Sequence, residues 1–337
     1  MEHLSPIDTG SSTHDFDSIS PSAYALLLMK GLTPIPYARE AADLLLSVAP
    51  SAAGAFGDPN DLSDPLKRGA GFWARVLHFE SRYISVDQLL SDLEATNILE
   101  LSSGFSFRGL ALSRRRPVYY IDTDLPSLIA TKQRFIESLT AAATTATTAA
   151  ATATSAAAVA ATASPGRSIP PGDPIPGHYE LQPLNALDTA AFEATAHRFP
   201  PGKLTIVNEG LLVYLDTSEK ERLCRNIRNI LLQRGGSWIT ADIYLKNPVS
   251  NLFGEKSDAF LKFLEQHNIE ENKFNDFDDA RAFFTRMGFR VDKEADVDFT
   301  TLTALPNLLA AATPEQLERL RQSGRPRIHA TWRLRPA

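Results

Sequence analysis

The sequence predicts an α/β fold: a Rossmann-like, mostly parallel sheet of seven strands behind an N-terminal helical cap. Two observations carry this expectation. From Asn97 onward, short β-rich runs alternate with helical patterns, the sequence form of a parallel sheet crossed by helices. Three helical segments precede the first convincing strand and so stand outside that alternation. The 337 residues are 43% hydrophobic and 22% charged, enough to bury a large core as one large domain with an appendage, or as two domains.

Residues 1–20 are polar and acidic, are expected to be disordered, and lack the basic-then-apolar pattern of an export signal. Ser20-Pro21 opens the first helix, SPSAYALLLMKGL, because serine can cap it and proline suits its first turn. A second helix starts near Pro36 and runs through YAREAADLLLSV, and a third spans about 70–95, so that 21–95 form the cap. The sheet domain covers 96–337, with strands at NILELS, PVYYID, HYELQPL, KLTIVNE and SWITADIYL. Helical patterns follow the first, second and fourth of these. Two late strands, FRVDKEADV and RIHATWRL, flank TPEQLERLRQSG, which reads as a single helix or a long loop. Residues 140–176 interrupt the domain with an Ala/Thr run and a Pro/Gly-rich piece. Alanine favours helix there, threonine opposes it, and no apolar stripe is offered for burial. A flexible surface insertion without catalytic content is the expectation.

The net charge of −6 and a pI near 5.7 argue against nucleic acid held on a broad basic face. Arg114-Arg115-Arg116 reads as a solvated turn. No apolar run reaches the roughly 18 residues of a membrane span, and a cytoplasmic location is expected. Cys224 is the only cysteine, which excludes an internal disulfide and a cysteine-based metal cluster, and a buried thiol is its default.

The chemistry concentrates in NILELSSGFSFRG, Asn97 to Gly109: an apolar strand, a small-residue turn and then a helix. Gly104 lets the backbone approach a ligand closely, and the helix start offers free N–H groups. The second strand follows and ends in Asp122 and Asp124, where a carboxylate can accept hydrogen bonds from both hydroxyls of a ribose. The G-x-G-x-x-G fingerprint that cradles a dinucleotide pyrophosphate is absent. S-adenosylmethionine carries no phosphate and tolerates a turn poorer in glycine, so the pattern favours it over NAD.

Five ordered segments between about residues 19 and 245 carry a family likeness: ISPSAYALLLMKGLTPIPYA, SRYISVDQLL, ILELSSGFSFRG, YYIDTDLP followed by Lys132, and VNEGLLVYLDTSE. With these the chain resembles the leucine carboxyl methyltransferase superfamily, in the branch similar to the tetracenomycin polyketide O-methyltransferase. The resemblance implies an S-adenosylmethionine-dependent methyltransferase fold and assigns roles. Arg82 pairs with the cofactor's methionine carboxylate, a task suited to a guanidinium fork; the residues alone favour instead a helix-surface ion pair with Glu80 or Asp87. Glu100 and Gly104 match the acid and the turn of the first motif. Asp124 matches the ribose-binding acid, with Asp122 on the same strand face as the fallback. Asn185 stands where the family has an acid beside the adenine. Glu209 takes the cofactor's ammonium or orients the substrate. Where the members that methylate a protein C-terminus carry an arginine after the adenine-binding acid, this chain reads NALD, which disfavours a peptide carboxylate.

The expected activity is O-methylation of a small aromatic or polyketide-like acceptor at a hydroxyl or carboxyl oxygen. The alternatives are a protein carboxyl methyltransferase and a non-catalytic S-adenosylmethionine-binding protein. A carboxylate acceptor needs no base, whereas a phenol benefits from one. Tyr214, five residues after Glu209, is the candidate catalytic group. His197 and His267 read as isolated and solvent-exposed. Phe253, Phe260, Phe263, Phe274, Phe277, Phe283 and Phe284 read chiefly as packing over the sheet, with a few lining an apolar pocket. Tyr24 and Tyr37 of the cap are candidates for a lid. The expected partner is a small-molecule substrate, with no nucleic acid, no membrane and no metal.

Overall fold

The computed structural model describes residues 20–48, 68–153, 177–246, 262, 264–323 and 327–337. Expectations for residues 1–19 and for Phe253, Phe260 and Phe263 lie outside the described residues, as does the insertion from 154 to 176.

The strands are β1 (Asn97–Leu101), β2 (Tyr119–Asp124), β3 (His178–Pro183), β4 (Leu204–Asn208), β5 (Gly236–Tyr244), β6 (Phe289–Glu294) and β7 (His329–Pro336). They form one seven-stranded sheet in the order β3-β2-β1-β4-β5-β7-β6. The first five pair in parallel, and β7 runs antiparallel between β5 and β6. The mostly parallel, Rossmann-like sheet expected from the alternating pattern is therefore present. β1 and β4 are buried along their whole length, as near-continuous apolar runs must be when helices cover both faces. They also lie side by side: the chain builds outward through β2 and β3, then returns to start β4 against β1. That reversal opens a crevice at the carboxyl ends of β1 and β4, the general place for a ligand in such sheets.

Three helices precede β1: α1 (Ser20–Lys30), α2 (Ala38–Val48) and α3 (Ala70–Asp92). Leu27 and Leu28 of α1, with Ala41, Ala42 and Leu45 of α2, pack on Phe105, Phe107, Leu110, Leu128 and Phe135. The cap thus sits on the segment that follows β1. α3 lies on the sheet itself, where Val86, Leu89 and Leu90 meet Ile98, Tyr120, Val207 and Ile239. Each such fully buried aliphatic side chain contributes about 1.5–3 kcal/mol against exposure, which anchors the cap at the carboxyl edge.

Between strands run α4 (Arg108–Ser113), α5 (Pro126–Ala153), α6 (Thr189–Ala196), α7 (Thr217–Arg234), α8 (Phe277–Arg286), α9 (Leu305–Ala311) and α10 (Pro314–Ser323). Two of these depart from the sequence expectation, and a third settles an alternative that the sequence left open. α5 continues to Ala153, into the Ala/Thr stretch, so alanine's helix propensity outweighs threonine there. A short helix, α6, does follow the third strand; the side chain of Asp188 caps it by accepting from the Ala191 N–H. The TPEQLERLRQSG segment is the helix α10, with Gln316 and Thr313 capping one another at its start.

Candidate active site

Four acidic side chains meet the crevice from strand ends or the residues just after them. Glu100 near the end of β1 is fully buried, Asp122 and Asp124 close β2, and Glu209 follows β4. The helices of the cap and α4 bring cations to them. Glu209 is the hub: Oε1 accepts from Lys30 Nζ at 2.7 Å, Arg82 Nη2 at 3.1 Å and Arg82 Nε at 3.2 Å, and Oε2 accepts from Arg108 Nη2 at 3.0 Å. Arg108, itself fully buried, also donates to Glu100 Oε1 at 2.5 Å and to Asp87 Oδ1 at 2.7 Å. Tyr120 donates to the second Glu100 oxygen at 2.6 Å. Lys30, Arg82 and Arg108 are thereby set against Glu209, Glu100 and Asp87 in a charge-balanced cluster.

Burial opposes every one of these charges, so the pKa shifts report which partners prevail. Desolvation pushes the Glu209 carboxyl up, but Lys30, Arg82 and Arg108 together hold it well below the usual carboxylate range. Lys30 moves the other way: burial and the neighbouring guanidinium groups lower its ammonium despite Glu209.

The backbone carrying Glu209 is fixed from below. Asp242 of β5 accepts from the N–H groups of Gly210, Leu211 and Leu212 and from Asn208 Nδ2, at 2.6–3.0 Å. Gly210 turns there with φ +88, and a Cβ on it would lie 3.3 Å from Arg82 Nη2, so a side chain would crowd the guanidinium.

A second polar group lies at the ends of β1 and β2. Asp124 accepts from the Gly104 N–H at 2.7 Å and from the Leu125 N–H at 2.8 Å. Each oxygen keeps a further lone-pair site. Burial raises its pKa, and those two N–H groups pull it back in part. Gly104 adopts φ +52, and a Cβ there would meet nothing within 4 Å, so it serves the turn's conformation on an open side. Asp122 differs in its surroundings: its carboxylate is fully buried, and Oδ2 accepts from both Lys132 Nζ at 2.8 Å and Tyr179 Oη at 2.6 Å. Lys132 also donates to Ser103 Oγ at 2.9 Å, tying the turn to β2.

Arg82, Glu100 and Glu209 are brought into one cluster, and Gly104 and Asp124 are bonded to each other. Arg82 pairs with neither Glu80 nor Asp87: Glu80 accepts from Thr303 and Ala304, and Asp87 belongs to Arg108. Asn185 is exposed beyond β3, and its Oδ1 accepts from the Leu187 N–H at 3.0 Å, so the structure ties it to a turn rather than to the charged cluster. Tyr214 lies in a 3₁₀ turn after β4, with its Oη 3.4 Å from Ser22 Oγ and its pKa raised by burial. His267 is not isolated, because its ring packs edge-on to Tyr214 at 6.2 Å, whereas His197 is exposed. Nor is Arg114 a plain solvated turn residue: it donates to Tyr37 Oη at 3.0 Å. Tyr37 sits against Phe107 and Tyr24 against Phe105, so both candidate lid residues pack on the segment after β1.

Sequence reasoning passed over Lys30, Arg108, Tyr244 and Asp242. A lysine closing a largely apolar helix, and an arginine two residues before a run of leucine and alanine, were the available signals. Among the described residues no group of three or more His, Cys, Asp or Glu is placed to hold a metal ion, and no helix is long and apolar enough to cross a membrane.

No protein-family model matches the sequence, and no curated protein matches it. Solved structures that the fold overlaps include the mitomycin 7-O-methyltransferase MmcR, at 11% identity and TM-score 0.41 over 94% of this chain and 67% of that one. The N,N-8-amino-8-demethyl-D-riboflavin dimethyltransferase RosA from Streptomyces davawensis overlaps at 12% identity and TM-score 0.42, over 96% and 70%. LepI in complex with SAM overlaps at 10% identity and TM-score 0.37, over 72% of this chain. The chain spans 43% of LepI, less than half its length. These overlaps assign no residue of this chain a role.

Proposed function

We propose that the chain is an S-adenosylmethionine-dependent O-methyltransferase, of the branch of the leucine carboxyl methyltransferase superfamily that acts on small aromatic or polyketide-like acceptors. One observation carries the reading: a buried guanidinium and a buried carboxylate, Arg82 and Glu209, meet at the β1/β4 crevice, while Asp124 closes β2 beside the Gly104 turn. The donor set suits the cofactor at three points. Arg82 and Lys30 offer donors to an α-carboxylate, and Glu209 offers acceptors to an α-ammonium. Asp124 retains acceptor sites for a ribose diol. The turn lacks the repeated close backbone approach that a pyrophosphate needs, which separates this set from a dinucleotide site.

When bound, the cofactor supplies a methyl group on a sulfonium. The chain's task is to orient the acceptor oxygen and exclude water. Arg108 holds Glu209 and Glu100 in register, and Asp242 fixes the turn that presents Glu209. Glu100, already bonded to Arg108 and Tyr120, acts by positioning Arg108. Tyr214, which follows the same turn, is the candidate to orient the acceptor.

Methyl-labelled S-adenosylmethionine, incubated with the protein and with an extract separated into protein and small-molecule fractions, tests the reading. Label passing to small molecules as base-stable ethers or base-labile esters supports it. Label confined to proteins, or none transferred, contradicts it.

A further inference from the structure

We propose that Tyr244 and His78 form a proton relay that deprotonates the methyl acceptor, so that the acceptor is a neutral hydroxyl compound, a phenol or alcohol. This rests on the methyltransferase reading above and narrows it.

Tyr244 is the last residue of β5, at the carboxyl edge of the sheet. Its Oη lies 2.8 Å from Arg82 Nη1 and 2.8 Å from His78 Nε2 of α3. A guanidinium can only donate, so on that side the phenol oxygen accepts. The arrangement that satisfies the phenol's own proton points it at His78 Nε2, leaving that imidazole neutral with its proton on Nδ1. His329 of β7 walls the pair, with its ring 4.6 Å from Tyr244 and 5.0 Å from His78. The nearest acceptor of His329 Nε2 is the Ala241 carbonyl at 2.7 Å, which makes that nitrogen the donor. Burial lowers the His329 pKa to about 4, so it stays uncharged beside the relay. The charged groups acting on Tyr244 and His329 are Arg82 from α3, Glu209 from the turn after β4, and Asp242 from β5.

Position relative to the cofactor follows from Arg82, which bridges Glu209 and Tyr244 through one guanidinium. Tyr244 Oη therefore stands one guanidinium away from Glu209, on the carboxyl edge where the cofactor's amino-acid head is proposed to sit. In the transfer, the acceptor oxygen forms a bond to the methyl carbon and the carbon–sulfur bond breaks, its electron pair staying on sulfur. The acceptor's hydroxyl proton passes to Tyr244 Oη as the Tyr244 proton passes to His78 Nε2. The resulting imidazolium discharges to solvent, which the partly exposed ring reaches. A carboxylate acceptor, already ionised, would need none of this machinery.

4-Nitrophenol, whose phenolate absorbs apart from the phenol, provides the test. It is titrated with acid in the presence of saturating full-length protein loaded with adenosylhomocysteine. The relay predicts about a tenfold larger phenolate fraction on the acid side than for the free dye. His78→Gln and Tyr244→Phe should each return the titration to that of the free dye. An unchanged titration with wild type, or a shift that survives both substitutions, overturns the relay. Calorimetry with adenosylhomocysteine alone reports separately on the cofactor reading: binding without a dye shift refutes only the relay, and no binding refutes the methyltransferase reading itself.

Discussion

Glu209→Gln removes one charge and almost no volume from the centre of the buried cluster. The carboxylate faces Lys30, Arg82 and Arg108, and its side chain is 4% exposed. Breaking a buried pair from one side leaves uncompensated charge, which costs about 3–5 kcal/mol, and here three cations share the loss. The expected destabilisation at pH 7 is in that range, and Lys30, already lowered by burial, can relieve part of it by losing its proton. Urea unfolding of wild type and variant across pH measures it. Because the folded pKa of Glu209 is depressed, its contribution is fully present above the unfolded value, about 4.3, and is lost as pH falls through the folded pKa. The gap between the two proteins should therefore be widest near about pH 5, narrow toward about pH 8 as Lys30 of the variant loses its proton, and close in stronger acid. Equal stability at pH 7, or a gap that persists unchanged into acid, would refute the assignment of Glu209 as the electrostatic hub.

Arg82→Ala and Asp124→Ala should each weaken adenosylhomocysteine by about 1.5–3 kcal/mol, with roughly additive losses in the double variant, measured by calorimetry. A decarboxylated analogue should be nearly indifferent to Arg82→Ala and still sensitive to Asp124→Ala; equal sensitivity of both ligands to Arg82→Ala would make that arginine a packing residue. Gly236→Ala should destabilise the fold by well over about 1 kcal/mol in thermal unfolding, because φ is +120 and the added Cβ would come 1.9 Å from the Leu204 carbonyl oxygen. A neutral result would mean that the start of β5 can separate from β4.

Much of the sheet was legible because its inner strands are continuous apolar runs: ILEL and LTIV are buried on both faces, and no competing helix period hides them. Asp124 and Gly104 could be named because strand, turn and acid keep a fixed spacing along the chain. The cluster around Glu209 could not. Lys30 only closes the apolar run ALLLM and carries no pattern of its own; the packing of α1 turns it inward onto Glu209. Arg108, in FRG, carries no pattern of its own, and its three carboxylate partners come from α3, β1 and the turn after β4. Tyr244 and His78 are 166 positions apart, so their contact is a product of topology alone. Asn185, matched by motif order, is exposed, and its Oδ1 accepts a local turn bond from the Leu187 N–H.

Titration of the full-length protein with adenosylhomocysteine and, separately, with NAD in a calorimeter tests the central claim most directly. The account predicts saturable binding of adenosylhomocysteine, weakened by Asp124→Ala and by Arg82→Ala, and no heat with NAD. Tight binding of NAD with no adenosylhomocysteine signal would contradict it.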